Sequence, residues 1–259
     1  MKVAFWNDVS LFDNVTNHVA AIGTILALEY HCEVVLGSNF ISNRMLQDCF
    51  FSKIKEAGVA HAPYRYLYES PDYYAALWKM KQNRQGDVLE IPMEGITIIF
   101  PPDVAEHNMF YFKVPRSSLY LLDTAEENSA AFQSALEEAE LVIVFLPQNK
   151  TEIQKFFHHF SSLIPKTIFV IEKALNTKED YHYLLKSKYG INSENIKIIP
   201  KCNEFTEACE DGRLLVFLEE KRKEGAKGQK NNYIFSLRKL AKCIFERSKS
   251  ELVREVVSE

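Results

Sequence analysis

Asp123 closes a run of apolar residues, Leu119-Tyr120-Leu121-Leu122, and a carboxylate at the end of a buried strand is where phosphoryl-transfer proteins hold magnesium near a triphosphate. The place for the phosphates themselves is the start of the chain. Lys2-Val3-Ala4-Phe5-Trp6 reads as a first buried strand, Asn7 to Asn14 as a polar turn, and Val15 to Tyr30 as a helix. Strand, loop and helix in that order aim backbone N–H groups at an anion, provided that glycines let the backbone approach and a lysine meets the charge. Between Asn7 and Asn17 there is no glycine and no lysine, while Asp8 and Asp13 would repel a phosphate. The loop instead carries Val9, Leu11 and Phe12, apolar side chains that either fill the empty phosphate cavity or face a partner.

Other chemistries find less support. The cysteines Cys32, Cys49, Cys202, Cys209 and Cys243 form no CxxC pair and read as reduced thiols in core positions. His158 and His159 lie mid-helix among Phe156, Phe157 and Phe160, one expected to face the core and one the solvent, with no carboxylate or thiol at ligand spacing. There is no Gly-x-Ser-x-Gly elbow, no His-Glu-x-x-His pair and no glycine-rich dinucleotide fingerprint. Lys221, Arg222, Lys223, Lys227 and Lys230 are interleaved with Glu219, Glu220 and Glu224, which reads as a solvated loop rather than a nucleic-acid or lipid contact.

The elements that must position Asp123 and the first loop follow from the apolar pattern. His31–Leu36, Gly95–Phe100, Ser118–Asp123, Leu141–Leu146, Lys166–Ile171 and Asn195–Pro200 read as strands, several of them apolar throughout and so buried on both faces. Helical stretches near Ser129–Glu140, Thr151–Ile164 and Glu179–Tyr189 separate them, and the alternation predicts α/β architecture with right-handed crossovers. The stretch from Ala57 to Gly95 breaks the rhythm with Tyr64, Tyr66, Tyr68, Tyr73, Tyr74 and Trp78, and is expected to be an insertion whose aromatics cover one edge of the sheet. Leu214–Glu224 and Asn231 to about Arg247 read as further helices. The tail from Ser248 carries Leu252, Val253, Val256 and Val257 on one face. Its acids, Glu251, Glu255 and Glu259, oppose a membrane-surface helix and favour packing on the body or fraying.

The chain has 259 residues, a hydrophobic fraction of 47% and a net charge of −4, which suits one large globular domain and gives no general attraction to nucleic acid. No basic region followed by a long apolar run marks a secretory signal, so a cytoplasmic location is expected.

Several blocks, in order, resemble the MinD/ParA family of deviant P-loop ATPases, the group labelled CobQ/CobB/MinD/ParA nucleotide-binding domains. Lys2–Trp6 resembles its first strand, Tyr120-Leu121-Leu122-Asp123-Thr124-Ala125 its Walker B strand, and Ala139–Gln148 its A-D-L-V-V-V-x-L-x-Q strand. Ile198-Ile199-Pro200-Lys201-Cys202-Asn203-Glu204-Phe205-Thr206-Glu207-Ala208 resembles its V-I-P-Y-N-x-x-F-x-D-A strand and turn, so the resemblance runs over nearly the whole chain. It implies a three-layer P-loop NTPase-like (SIMIBI) fold with a mostly parallel central sheet. The resemblance places residues 1–247 in one domain with an insertion near 57–95, and leaves 248–259 as a tail.

The departures from the family pattern fall on its chemistry. The K-G-G-x-G-K-[ST] loop would lie on Asp8 to Thr16, where Thr16 alone fits, at the magnesium-binding hydroxyl. The family's second strand ends in a water-orienting Asp; here the sequence is Leu36-Gly37-Ser38-Asn39. Asn203 stands where the family's turn contacts adenine, or else stabilises its own turn. Asp123 reads first as a structural carboxylate near a helix N-terminus and second as a magnesium ligand. The chain is therefore read as a degenerate, non-catalytic member that needs no cofactor and resembles TadZ-type localisation factors of Flp pilus assembly. It would act through protein partners, with a homodimer across Leu11 and Phe12 and peripheral contact with the inner membrane face as extensions. The alternative is an ATPase that holds ATP and magnesium through Thr16, Asp123 and Asn203.

Overall fold

A computed structural model describes residues 1–7, 15–38, 46, 49–50, 79–83, 86–91, 96–99, 119–124, 130–173, 180–226 and 232–258. Strand β1 (Lys2–Asn7) leads to helix α1 (Val15–Tyr30) and strand β2 (Val34–Ser38), followed by β3 (Lys79–Asn83), β4 (Gly86–Ile91), β5 (Ile96–Ile99) and β6 (Leu119–Thr124). Helix α2 (Ala130–Glu138), β7 (Leu141–Leu146), α3 (Lys150–His159) and β8 (Thr167–Lys173) continue the alternation. The chain then runs through α4 (Tyr181–Tyr189), β9 (Ile196–Pro200), α5 (Asn203–Glu210), α6 (Leu214–Ala226) and α7 (Asn232–Ser258).

The strands form one nine-stranded sheet in the order β3-β4-β5-β2-β6-β1-β7-β8-β9. From β5 to β9 every neighbouring pair is parallel, while β3 and β4 add an antiparallel hairpin at one edge. The expected mostly parallel α/β sheet is present. The hairpin is an addition: β3, Lys79-Met80-Lys81-Gln82-Asn83, shows no apolar run and pairs with β4, which in turn pairs with the edge of β5. The aromatic residues from Tyr64 to Trp78 lie outside the described residues.

Helices cover both faces, giving three layers. Alternation along β1 sends Val3 and Phe5 to one face and Ala4 and Trp6 to the other. The first face packs under α1, α5, α6 and α7; the second packs under α2, α3 and α4. On the second face Trp6 is fully buried among Phe132, Phe156 and Phe160, with ring centroids 4.5–5.4 Å away. A tryptophan so placed removes roughly 200 Å² from water, on the order of 5 kcal/mol of burial. On the first face α1 comes so close to β2 that a Cβ on Gly23 would meet Leu36 Cδ2 at 2.6 Å and would force the Leu36 side chain to move.

Element ends differ from the sequence expectation where backbone geometry intervenes. The helix expected over 151–164 stops at His159, and residues 161–166, with Pro165 inside, tighten into a 3-10 turn. Both His158 and His159 are exposed, because Ile153 and Phe156 already supply that helix's buried face; the expectation of one core-facing histidine is corrected. The segment after β9 is a helix rather than a turn. Helix α6 continues to Ala226, so Lys221, Arg222 and Lys223 are helical rather than in a loop, paired with Glu204, Glu219 and Glu224. Helix α7 passes Arg247 without a break and reaches Ser258.

Candidate functional site

Ligands of open α/β sheets bind beyond the carboxyl ends of the strands, where the strand order reverses. Here that place lies around β1 and β6, and the sequence-singled residues Asp123 and Thr16 meet there. Asp123 is the penultimate residue of β6, aligned with Phe5 of β1 on one side and Ser38 of β2 on the other. Thr16 lies in the first turn of α1. The Thr16 hydroxyl donates to Asp123 Oδ2 at 2.5 Å, across 107 residues of sequence. Beside it the Thr124 hydroxyl donates to the Phe5 carbonyl at 2.8 Å and stitches β6 to β1 at the same end.

The pair is dry. Asp123 is 1% exposed and Thr16 is 6% exposed. Burial pushes the Asp123 carboxyl from 3.8 up to about 6, against the opposing effect of the Thr16 hydrogen bond. The hydrogen bond ties the first turn of α1 to β6. The residue before Thr16 is Val15, and it is buried in the first-face core. The sequence has no glycine or lysine from Asn7 to Asn17, and among the described residues this corner brings together one hydroxyl and one carboxylate. No group of three or more metal-ligating side chains occurs among the described residues. Leu11, Phe12, Asp8 and Asp13 lie outside those residues.

Asn203 is the exposed first residue of α5, beyond the end of β9. By strand order it stands three strands from β1, roughly 14 Å at ordinary strand spacing. The structure does not bring its side chain to the Thr16–Asp123 pair. The link between the two places is aromatic: His18 of α1 is buried against Phe145 of β7, Phe205 of α5 and Tyr233 of α7, with centroids 4.9, 5.4 and 6.2 Å away.

Sequence reasoning missed His18, because a histidine inside an apolar helix shows no spacing pattern. It also missed Glu172, at the end of β8. There burial raises the carboxyl above its usual range and Lys201 opposes the shift, while the Gln148 amide donates to the Glu172 carbonyl. Tyr181 donates in turn to the Gln148 carbonyl at 2.8 Å.

No family model matches the chain, and no curated protein matches it. Solved structures do. The septum site-determining protein MinD of Pyrococcus horikoshii OT3, complexed with Mg-ADP, superposes with a TM-score of 0.62 at 11% identity, covering 94% of this chain and 95% of that one. A ParA family ATPase from Chlorobium tepidum TLS gives 0.59 at 12% identity, over 93% and 96%. The MinC:MinD cell division protein complex of Aquifex aeolicus gives 0.55 at 15% identity, over 95% and 95%. Identities this low carry the fold, which is that of the MinD/ParA P-loop NTPases.

Proposed function

We propose that this protein is a MinD/ParA-type body that acts by binding partners and does not turn over ATP. The observation that carries the reading is the Thr16–Asp123 contact beside a loop without glycine or lysine. Positioning and charge neutralisation supply most of the catalysis in phosphoryl transfer, and this corner keeps the magnesium groups without the groups that hold phosphate. In Aquifex aeolicus a MinD of this fold is found in a complex with a second protein, MinC, and a protein partner fits this chain in the same way.

The setting we propose is the positioning or assembly of a cell-envelope machine such as a Flp-type pilus, at the cytoplasmic face of the membrane. It rests on the sequence resemblance to TadZ-type localisation factors. Among the described residues no helix is long and apolar enough to cross a membrane. Residues 1–247 act as one domain in this reading, with 248–259 as its tail, and self-association runs through Leu11 and Phe12.

A second reading is favoured by the same contact: Thr16 and Asp123 hold magnesium, Asn203 lies near the base, and the protein is an ATPase. Calorimetric titration with ATP and magnesium separates the two. The proposal expects no heat of binding up to millimolar ATP, and a micromolar, magnesium-dependent affinity that Asp123→Asn removes would establish the second reading in its place.

A further inference from the structure

Helix α7 buries one face in the first-face core and leaves the opposite face open. Phe235, Lys239, Lys242, Glu246 and Lys249 are exposed and recur at alternating spacings of four and three, so they form one seam down the outside of the helix. Phe235 is 58% exposed. The Lys239 ammonium lies 4.4 Å from its ring centroid, and Lys242 pairs with Glu246 at 3.7 Å. Beside the seam, α1, α6 and α7 enclose a groove. Ile25, Leu28, Leu218 and Ile234 give it an apolar lining, and Arg222, Glu219, Arg238 and Glu29 rim it. Arg222 bonds both oxygens of Glu219 at 2.8 and 2.9 Å, and Arg238 meets Glu29 Oε1 at 2.6 and 2.7 Å. The rim is thereby neutral. The charge of this corner comes from the seam, three lysines against one glutamate, in a chain whose net charge is −4.

We propose that the outer seam of α7, with the groove beside it, docks an acidic amphipathic helix of a partner protein. The apolar residues of that helix enter the groove and cover Phe235, while its carboxylates meet Lys239, Lys242 and Lys249. Spacing of four and three is the one along which two helices stay in contact over several turns. The Lys239 ammonium already holds the Phe235 ring, which lessens the ordering that docking requires.

The charge pattern favours this occupant over others. A helix can set a basic or apolar residue opposite Glu246, whereas a nucleic-acid duplex or an anionic bilayer presents phosphates there as everywhere else. Glu29 and Glu219 on the groove rim oppose those phosphates too, and neither surface fills an apolar groove beside an exposed ring in the way a leucine does. A second copy of this chain would bring the same excess of lysine to the contact. The inference rests on the reading that the protein acts by binding partners, and it gives that reading a surface.

The test uses the full chain without nucleotide. The probe is a fluorescein-labelled synthetic helix of about 21 residues, three heptads, made of leucine, glutamate and alanine with leucine at spacings of four and three. Its anisotropy should saturate at micromolar protein in low salt, and the affinity should fall about tenfold in roughly 0.5 M salt. Phe235→Ala should weaken binding about fivefold, and Lys239→Glu with Lys242→Glu more than tenfold. Melting temperatures should hold in both variants, because these side chains are exposed. Lys186→Glu with Lys188→Glu, at exposed positions of α4, should change nothing. A probe with alanine in place of leucine should bind at least about fivefold more weakly. No saturation, equal affinity for the leucine-free probe, or indifference to the α7 variants would overturn the proposal. So would tighter binding of a DNA duplex or of phosphatidylglycerol vesicles that the same variants abolish, or a dimer in sedimentation that Phe235→Ala dissociates. The peptide and ATP titrations read different faces of the protein, so either reading can fail alone.

Discussion

Lys166 and Asp123 carry charge into the layers of this protein at opposite ends of the strands. Lys166, just before β8, donates to the carbonyls of Leu136, Glu137 and Ala139 at 2.7–2.9 Å. Those carbonyls lie at and just beyond the C-terminus of α2, where unpaired acceptors and the helix dipole both favour a cation. Burial lowers the Lys166 pKa, and Glu137 opposes the shift. Asp123, at the other end, is more deeply buried, and among the described residues its hydrogen-bond partner is the single Thr16 hydroxyl. One charge is met on several sides; the other is held by one group in a dry corner. The first is a structural cap. The second, among the described residues, is a deeply buried charge with one hydrogen-bond partner, an arrangement that costs stability.

The largest expected effect breaks this comparison most directly. Asp123→Asn keeps the shape and removes the charge. The folded carboxyl has a pKa of about 6 against an ordinary 3.8. Its ionisation therefore opposes folding: stability is greatest below pH ~4 and falls as the pH rises through about 6. At pH 7.5 the variant should be more stable by about 3 kcal/mol, an advantage that disappears below pH ~4. Urea denaturation across that range measures it. A loss of stability at neutral pH would mean that Asp123 has a cationic partner in the folded protein.

Lys166→Met should act in the opposite direction, by about 1–2 kcal/mol, because it leaves the carbonyls at the end of α2 without their donor. The same denaturation series checks it, and a neutral result would show that water replaces the ammonium.

Thr16→Val has the smallest effect on stability, a loss of about 1 kcal/mol, and a sharper effect on titration. The Thr16 hydrogen bond lowers the Asp123 pKa, so its removal should move the carboxyl titration further above 6, read from the carboxyl carbon resonance of Asp123. An unmoved titration would show that the hydroxyl contributes nothing to that charge.

Much of the fold was legible in the residues. Leu141–Leu146, apolar throughout, is a strand with the bounds its composition implies, and Val15–Tyr30 is a helix with the bounds its pattern implies. The hairpin of β3 and β4 was not legible, since β3 is mostly polar, β4 offers only Val88, Leu89 and Ile91, and the pair adds to the neighbouring edge of β5. Of the candidate site, Asp123 could be placed at a strand end from the apolar run before it. Glu172 and His18 could not be found that way, because burial around a polar side chain is supplied by residues distant in sequence.

The sequence by itself determined the alternation of parallel strands and helices, the carboxylate at the end of β6, and the missing glycines and lysine of the first loop. These are local properties: periodicity of two or of 3.6 residues, and the residue types a phosphate requires. Only the tertiary structure decided that Thr16 bonds Asp123, that the Cys49 thiol donates to Asn17, and that His18 packs between Phe145 and Phe205. Each of these contacts depends on the order of strands in the sheet and on the face to which each crossover helix returns. That order is set by the packing of the whole chain, in which β1 ends up between β6 and β7, its neighbours in space but distant in sequence.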